Sequence, residues 1–231
     1  MWRRELKNFY TRRSQWGKGR KWEGVDLTPV FEKELEKKGE HPILIVGEAP
    51  GKDEVAQGTP FVGKAGENLQ KLIKLSGLSR ERDFLITNTF PFRTFTIGKN
   101  GKISNRTPST QLLKEGSRWL EQEIGIVEPS LILLLGNSAL RGFGYLIKGV
   151  DKLPKCGFYY LHLPGEKVPP LPEGVEPIEV ESLPPYFEKN RPIVGVCYHP
   201  SPLAFNRPKI RQSLEKFFKQ LPSLVSQCPL R

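Results

Sequence analysis

Cysteine is scarce in this 231-residue chain. The three cysteines, Cys156, Cys197 and Cys228, lie far apart in the sequence, and none belongs to a CxxC pair. A disulfide framework needs paired cysteines and a cysteine-only metal site needs closely spaced ligands, so the sequence supports neither. We therefore expect a reducing, intracellular environment.

Long apolar runs are also missing. No stretch approaches the roughly 20 apolar residues that a membrane-spanning helix needs. The first residues, MWRRELKNFYTRRSQW, lack the apolar core of a secretory signal. Their Arg-rich, acid-poor composition also occurs in organelle transit peptides, which is the less favoured alternative. We expect no membrane association and a single domain over residues 1–231, a length that allows a sizeable core.

Acidic residues are outnumbered by basic ones, which gives the chain a formal net charge of +11. The excess is concentrated in residues 1–22, where eight basic residues and one acid alternate with aromatic side chains. This pattern suits a polyanion that also offers flat bases. A solvated tail with a few hydrophobic anchors fits equally well. Both interpretations stay open for the basic N-terminal extension, residues 1–40.

Four short apolar runs are typical of buried strands: residues 43–47, 84–90, 131–136 and 192–199. Continuous apolar runs fit a sheet that helices cover on both faces. Helical patterns alternate with these runs, over residues 66–78, 108–124, from about 137, and 208–221. The alternation predicts an α/β fold with three α/β/α layers around a mostly parallel, four-stranded sheet, with ligands at the carboxyl ends of its strands.

Two segments fall outside this alternation. Residues 93–104 form a basic, Gly- and Asn-containing stretch that predicts a hairpin-like loop. Residues 151–190 hold eight of the 21 prolines and more acids than bases. We predict that this proline-rich insertion is a surface excursion with one possible strand at 158–163, kept away from a polyanion by its charge.

The turn after the first predicted strand, GEAPGKDE at residues 47–54, has three possible explanations. A Walker phosphate loop needs GxxxxGK followed by Ser or Thr. Here only three residues separate the glycines, and Asp53 follows Lys52. The GxGxxG dinucleotide pattern is absent too, so nucleotide binding is disfavoured. A plain strand-to-helix turn explains the glycines and Pro50 but not Glu48 beside the paired acids. The third explanation is a catalytic acid at a strand end.

Five segments in order resemble the family 4 uracil-DNA glycosylases. The first is GEAPGKDE with GTPFVGKAGENL (58–69), followed by TNTFPFR (87–93), NRTPS (105–109), LILLLGNSAL (131–140) and YHPSPLAFNRPKI (198–210). The resemblance covers roughly residues 43–145 and 192–221. It implies a monofunctional DNA repair enzyme that flips uracil out of DNA and hydrolyses its N-glycosidic bond, leaving an abasic site. The alternatives are the same fold acting on hypoxanthine or another deaminated base, and a DNA-binding relative without catalysis.

The resemblance implies two catalytic residues. Glu48 would position the attacking water and stabilise the sugar cation, a role that suits an anion at a strand end. His199 would hydrogen-bond uracil O2 and hold the negative charge that the departing base acquires.

The resemblance also implies the substrate-binding residues. Asn88 would read the base, because a side-chain amide can accept from uracil N3–H and donate to O4. Phe61 would lie flat on the uracil ring, and Glu54 would crowd out the methyl group of thymine. The matching motif completes the set with Gly47 and Ala49.

The expected partner is uracil-containing DNA, single- or double-stranded. Ser201 would bond a phosphate, and Leu203 would fill the gap in the base stack, as apolar wedges do in distorted DNA. Further phosphate contacts are expected from Arg106, Arg207, Lys209 and Arg211. These expectations describe a cytoplasmic, nucleoid-associated monomer.

The sequence departs from the family at its iron–sulfur cluster. Family 4 enzymes generally hold this cluster on four cysteines, but the first CxxC is absent here, and the other ligands fall at Phe92 and Ser117. The ligand count excludes a cluster, and we expect neither a cofactor nor a metal. An aromatic and a hydroxyl would fill the space, covered by the N-terminal segment. At the place where the X-type relative uses a loop histidine to attach itself to DNA, Ser104 and Asn105 predict turnover instead.

Overall fold

The computed structural model describes residues 1–18 and 22–227, so Cys228 and part of the basic N-terminal segment lie outside the described residues. The strands are β1 (Val25–Asp26), β2 (Ile43–Gly47), β3 (Phe84–Asn88), β4 (Arg93–Ile97), β5 (Ile103–Asn105), β6 (Leu131–Leu135), β7 (Gly157–His162), β8 (Val175–Glu179) and β9 (Ile193–Cys197). The helices are α1 (Trp2–Arg13), α2 (Lys52–Gln57), α3 (Lys64–Ser76), α4 (Arg80–Asp83), α5 (Thr110–Val127), α6 (Gly136–Gly144), α7 (Pro185–Lys189), α8 (Pro202–Phe205) and α9 (Pro208–Ser226).

The central sheet has the strand order β3-β2-β6-β9-β7-β8. Its first four strands run parallel, and all of their residues are buried. In β2, Ile43 and Ile45 pack in the core formed with α3 and α9, while Leu44 and Val46 pack in the core formed with α1, α5 and α6. Burying one such side chain contributes about 1.5–3 kcal/mol, so both faces need helices over them. The predicted three-layer α/β/α architecture is confirmed.

The prediction of a four-stranded sheet is wrong, because residues 151–190 add β7 and β8. The strand expected at 158–163 is confirmed as β7, which runs antiparallel to β9. Phe158 of β7 stacks on Phe217 of α9, with ring centroids 4.2 Å apart. β8 escaped prediction because it reads VEPIE, with Val175 as its one buried residue. As an edge strand it tolerates Pro177, a residue that argues against a central strand.

The N-terminal extension is anchored to the domain. Phe9 and Tyr10 of α1 are buried, and α1 packs against α5. The fully buried Glu123 of α5 accepts hydrogen bonds from Tyr10 Oη at 2.6 Å, Arg13 Nη1 at 2.9 Å and Thr87 Oγ1 at 2.9 Å. Burial, with Glu123 adding to it, raises the pKa of Tyr10 well above its ordinary value, so the phenol keeps its proton. These two aromatic residues are hydrophobic anchors rather than platforms for bases.

The basic stretch after β3 forms the predicted hairpin. β4 and β5 pair antiparallel, and the short β1 pairs with the other edge of β4 to make a separate three-stranded sheet. The β4–β5 hairpin lies between β3 and α5 in the chain, so it follows the carboxyl end of β3, while β1 joins it from the N-terminal segment.

Across residues 1–18 and 22–227, none of the helices combines the length and apolar character needed to cross a membrane.

Candidate active site

A cavity of about 240 Å³ opens at the carboxyl ends of β2, β3 and β9. Side chains that follow parallel strands meet at this edge of a sheet, as the sequence predicted. The cavity brings together the predicted residues Glu48, Ala49, Glu54, Phe61, Asn88, Arg106 and His199. It also includes four residues for which no role in the pocket was predicted: Pro50, Gly51, Ala65 and Asn105.

Glu48 directly follows β2 and is partly exposed to the cavity. Its backbone is fixed because Phe90 N–H donates to its carbonyl at 3.1 Å, which continues the β2–β3 pairing past the strand ends. Its side chain is fixed by Ser138 Oγ, which donates to Oε2 at 2.5 Å. Ser138 lies in the first turn of α6, where the helix dipole favours a nearby carboxylate. The second carboxylate oxygen is left for another partner.

Ser138 was missed by sequence reasoning. It is 90 positions from Glu48, and only the adjacency of β2 and β6 brings the start of α6 to the end of β2. The available signal was a small hydroxyl residue in the GNSAL turn after a buried strand.

Asn88 and Phe61 line the pocket side by side, whereas the predicted Gly47 lies against both side chains without lining the cavity. Asn88 ends β3 directly beside Gly47 of β2. A Cβ on Gly47 would lie 2.6 Å from Asn88 Oδ1 and 2.6 Å from Phe61 Cε2, so glycine is required for both side chains to sit there. Phe61 itself has φ of 54°, a left-handed conformation that costs a non-glycine residue about 1–3 kcal/mol. The surrounding structure therefore imposes the position of this ring.

Glu54 fixes the loop that carries Phe61. One carboxylate oxygen accepts from Gly51 N–H at 3.0 Å, and the other accepts from Val62 N–H at 3.0 Å and Gly63 N–H at 2.9 Å. These three bonds tie the start of α2 to the turn before α3. The methyl-excluding role that the resemblance implies stays a prediction, whereas this bracing contact is an observed one.

His199 follows β9 and faces Phe61, with ring centroids 5.8 Å apart. Glycine at position 136 lets His199 lie close to the turn between β6 and α6, because a Cβ on Gly136 would lie 2.8 Å from His199 Cβ. Burial lowers the pKa of the imidazole below its ordinary 6.5, while the Glu48 and Glu54 carboxylates oppose the shift. The ring is therefore neutral at pH 7, with one N–H to donate.

Comparison with known proteins gives the family. The model of the uracil DNA glycosylase superfamily matches residues 36–222. The chain belongs to this superfamily. The type-4 uracil-DNA glycosylase of Saccharolobus solfataricus is 30% identical to it, over 81% of this chain and 73% of the relative. The enzyme of the same name from Archaeoglobus fulgidus is 29% identical, over 80% of this chain and 77% of the relative.

A solved structure shows the same fold. The crystal structure of Pedobacter heparinus SMUG2 matches with a TM-score of 0.53 at 15% identity, covering 95% of this chain and 99% of that chain. The family-model match ends at residue 222 and begins at residue 36, so most of the N-terminal extension lies outside it.

Phe92 and Ser117, the two positions at which the resemblance implies iron–sulfur ligands, do not fit a cluster. Phe92 is buried, Trp16 stacks on it at 5.5 Å between centroids, and Trp22 stacks on Trp16 at 4.7 Å. The buried Ser117 donates its Oγ hydrogen to Lys114 O at 2.8 Å. Thiolate ligands are replaced by an aromatic stack, and the N-terminal segment packs over this place as the sequence predicted. We name α1 with Trp16 and Trp22 the N-terminal clasp.

All of the predicted DNA-contacting residues except Arg106 lie on the loop and helices after His199. Leu203 on α8 is 72% exposed. Ser201 caps α8, accepting from Ala204 N–H at 3.3 Å, and its hydroxyl hydrogen remains a donor. Asn68 Nδ2 donates to Pro200 O at 3.0 Å and so holds this loop to α3.

The predicted phosphate contacts are exposed cationic side chains. Arg207 and Lys209 lie at the start of α9, and Arg106 lies on the rim of the pocket. Arg211 Nε is 3.5 Å from Glu215 Oε1, so its charge is partly neutralised. Binding of DNA by these residues stays a prediction.

Asn105 lies in the pocket at the place compared with the trapping histidine of the X-type relative. Its Oδ1 accepts from Arg93 Nε at 2.8 Å. A Cβ on Gly51 would lie 2.9 Å from Asn105 Nδ2 and 2.7 Å from Glu54 Oε2. Glycine at this position therefore lets the hairpin close against the strand-end turn. A larger side chain has no room there unless Glu54 or Asn105 moves.

Proposed function

We propose that the chain is a uracil-DNA glycosylase that hydrolyses the N-glycosidic bond of uracil in DNA and leaves an abasic site. The observation that carries the proposal is the meeting of Glu48, Phe61, Asn88 and His199 in one cavity. The names of the curated relatives at about 30% identity support uracil as the base.

Glu48 acts on the sugar side of the scissile bond. Breaking this bond leaves positive character on the sugar, and a fixed carboxylate stabilises it without having to reorganise. Because Ser138 occupies Oε2, the other oxygen is directed to the attacking water and accepts its proton. Ser138 is thus a positioning residue for Glu48.

His199, Asn88 and Phe61 act on the base. The neutral imidazole donates to uracil O2 as that oxygen gains negative charge, at no cost of protonating the ring first. Asn88 accepts from N3–H and donates to O4, a pattern that cytosine reverses. Phe61, held in its strained conformation, offers a flat apolar surface to the ring.

The reaction is a hydrolysis with turnover. None of the described residues that line the pocket is a lysine, so the lining offers no amine for a covalent intermediate and strand cleavage. Asn105, at the position compared with the trapping histidine, is a poor nucleophile. We expect a monomer in the cytoplasm at the nucleoid, attracted to single- or double-stranded DNA by its net charge of +11.

Purified protein treated with EDTA tests the proposal on oligonucleotides that contain uracil, hypoxanthine, xanthine or a G·T mismatch. The proposal is supported if the wild-type protein excises uracil and the Glu48→Gln control does so at least about tenfold more slowly. Excision of hypoxanthine alone would favour the first alternative. Tight binding without release of any base would favour a non-catalytic DNA-binding relative.

A further inference from the structure

Two large aliphatic side chains are exposed on the hairpin of residues 93–106, here named the basic hairpin. Ile97 is 62% exposed and Ile103 is 54% exposed. The two residues are direct cross-strand partners, so their side chains lie together on one face of the hairpin. An isolated exposed isoleucine needs no explanation, but a pair on one face forms an apolar patch.

This apolar face is continuous with the wall of the pocket. Side chains two positions apart on a strand share a face, so Ile103 is on the same face as Asn105. Asn105 lines the cavity and lies against Gly51, with Arg93 Nε holding its amide oxygen. The isoleucine pair therefore extends the pocket wall outward to the tip of the hairpin.

The basic hairpin is held by β1 along one edge and by its own cross-strand hydrogen bonds. β1 pairs with β4 through Val25 and Thr94, and Phe95 N–H donates to Gly24 O at 2.8 Å. At the base, Arg106 N–H donates to Thr94 O at 2.9 Å. At the tip, Gly98 N–H donates to the carbonyl of residue 102 at 2.9 Å. The isoleucine pair is thus presented on a hydrogen-bonded element.

The charge of the hairpin indicates what covers this face. Residues 93–106 contain Arg93, Lys99, Lys102 and Arg106 and no acidic residue. Cations attract phosphates, and exposed aliphatic side chains pack against unstacked bases in distorted nucleic acid. An apolar protein partner needs no such excess of positive charge.

The hairpin and Leu203 approach the pocket from different places. The basic hairpin follows β3, the edge strand, whereas Leu203 follows β9, and β2 and β6 lie between these two strands. Apolar side chains on both elements are exposed beside the cavity that takes the base.

We propose that the basic hairpin is a second DNA-contact element, in which Ile97 and Ile103 pack against the bases beside the extruded nucleotide while Lys99 and Lys102 contact phosphates. This inference rests on the proposed function, because it concerns the DNA from which a base is flipped. Ile97 and Ile103 would then pack against DNA bases in addition to Leu203.

The test is the double variant Ile97→Thr/Ile103→Thr, which keeps β-branched residues in both strands and so preserves the hairpin. Single-turnover excision of uracil is measured on single-stranded DNA and on a duplex. We expect a loss of about tenfold on the duplex, where extrusion must overcome stacking, and less than about twofold on the single strand. The matched control is Leu75→Gln, which removes an exposed apolar side chain from α3.

Several outcomes overturn the inference. An unchanged duplex rate, or equal losses on both substrates, shows that the isoleucine pair does not assist extrusion. Sedimentation velocity supplies another outcome: a wild-type dimer that the double variant abolishes would make the patch a self-association surface instead. Wild-type protein that excises no uracil even from single strands contradicts the proposed function separately.

A binding measurement tests the inference even if the wild-type protein excises no uracil. The probe is a duplex with a tetrahydrofuran abasic site, titrated at several salt concentrations. The isoleucine variant should weaken binding without changing the salt dependence. Lys99→Ser/Lys102→Ser should lower the slope of log K against log salt by about 0.9 for each lysine. Unaltered affinity and slope in both variants would leave the hairpin without a DNA contact.

Discussion

The pocket and the N-terminal clasp are built on neighbouring residues of β3, but in opposite ways. Thr87 donates to Glu123, a carboxylate with no exposed surface and with Tyr10 and Arg13 as further partners. The next residue, Asn88, lines the open cavity. On one face of the strand the polar groups satisfy each other, and on the other they face a space large enough for a ligand.

One face of β3 therefore contributes to the stability of the fold, and the other borders the proposed reaction site. Trp16 of the clasp stacks on Phe92, a position where the resemblance implies a cluster ligand, and Arg13 of the clasp forms a buried ion pair with Glu123. The pocket, by contrast, includes the strained backbone of Phe61 and a carboxylate held by a single hydroxyl. Changes in the pocket should therefore lower activity with little effect on folding, and changes in the clasp should do the reverse.

The largest effect on activity is expected for Glu48→Gln. The substitution keeps the size of the side chain and an oxygen for Ser138 but removes the charge opposite the sugar cation. We expect single-turnover excision to slow about ten- to a thousand-fold. The free energy of unfolding in urea should stay within about 0.5 kcal/mol of the wild-type value. Turnover that is unchanged would remove Glu48 from the mechanism.

The largest effect on stability is expected for Glu123→Ala, which removes the α5 carboxylate that Tyr10 and Arg13 of the clasp bind. It leaves Arg13 buried without its carboxylate, a change that costs about 3–5 kcal/mol. Below the unfolding transition, uracil excision should remain within about threefold of wild type, since no pocket residue changes. The matched control is Glu36→Ala, which breaks the exposed pair with Lys7 and should leave the free energy of unfolding close to the wild-type value. Equal costs for the two variants would contradict the contrast.

The pocket was more predictable from the sequence than the clasp or the sheet edge. Glu48, Asn88 and His199 follow apolar strands, and parallel strands bring their carboxyl ends to one edge, so local pattern was enough to group them. The packing of the N-terminal aromatic residues was not predictable, because their composition suits both a segment that stacks on bases and a segment anchored in the core. Only the packing of Phe9 and Tyr10 against α5 separates the two interpretations.

The unpredicted features depend on contacts between distant segments. β8 has one buried residue and a proline, so its pairing with β7 is visible only in the folded chain. Ser138 reaches Glu48 from α6, and Asn105 reaches the pocket from the hairpin. Neither position carries a sequence pattern that identifies its partner. Periodicity reports which face of an element is buried, not which element covers it.

A smaller effect is expected for Ser138→Ala, which releases the Glu48 carboxylate without removing it. A hydrogen bond to a charged group contributes about 1.5–3 kcal/mol, so we expect kcat to fall about tenfold. Because Ser138 does not line the cavity, KM should change little, and Ser138→Thr should restore kcat by returning the hydroxyl. The control is Ser117→Ala, a buried helix serine that bonds within its own helix. A higher KM with unchanged kcat would assign Ser138 to substrate binding instead.

The smallest effect concerns the titration of His199 and connects it to Glu48. Burial places the pKa of this imidazole below 6.5, and the carboxylate of Glu48 raises it from where burial alone would put it. Glu48→Gln removes that negative charge, so protonating the ring becomes harder and the pKa should fall further. Proton NMR can follow this because the chain has three histidines, and a His199→Gln spectrum assigns the signal. A rise in the titration midpoint of His199 in Glu48→Gln would show that the Glu48 carboxylate does not raise the pKa of the imidazole. Another group would then have to be found to stabilise the departing uracil anion.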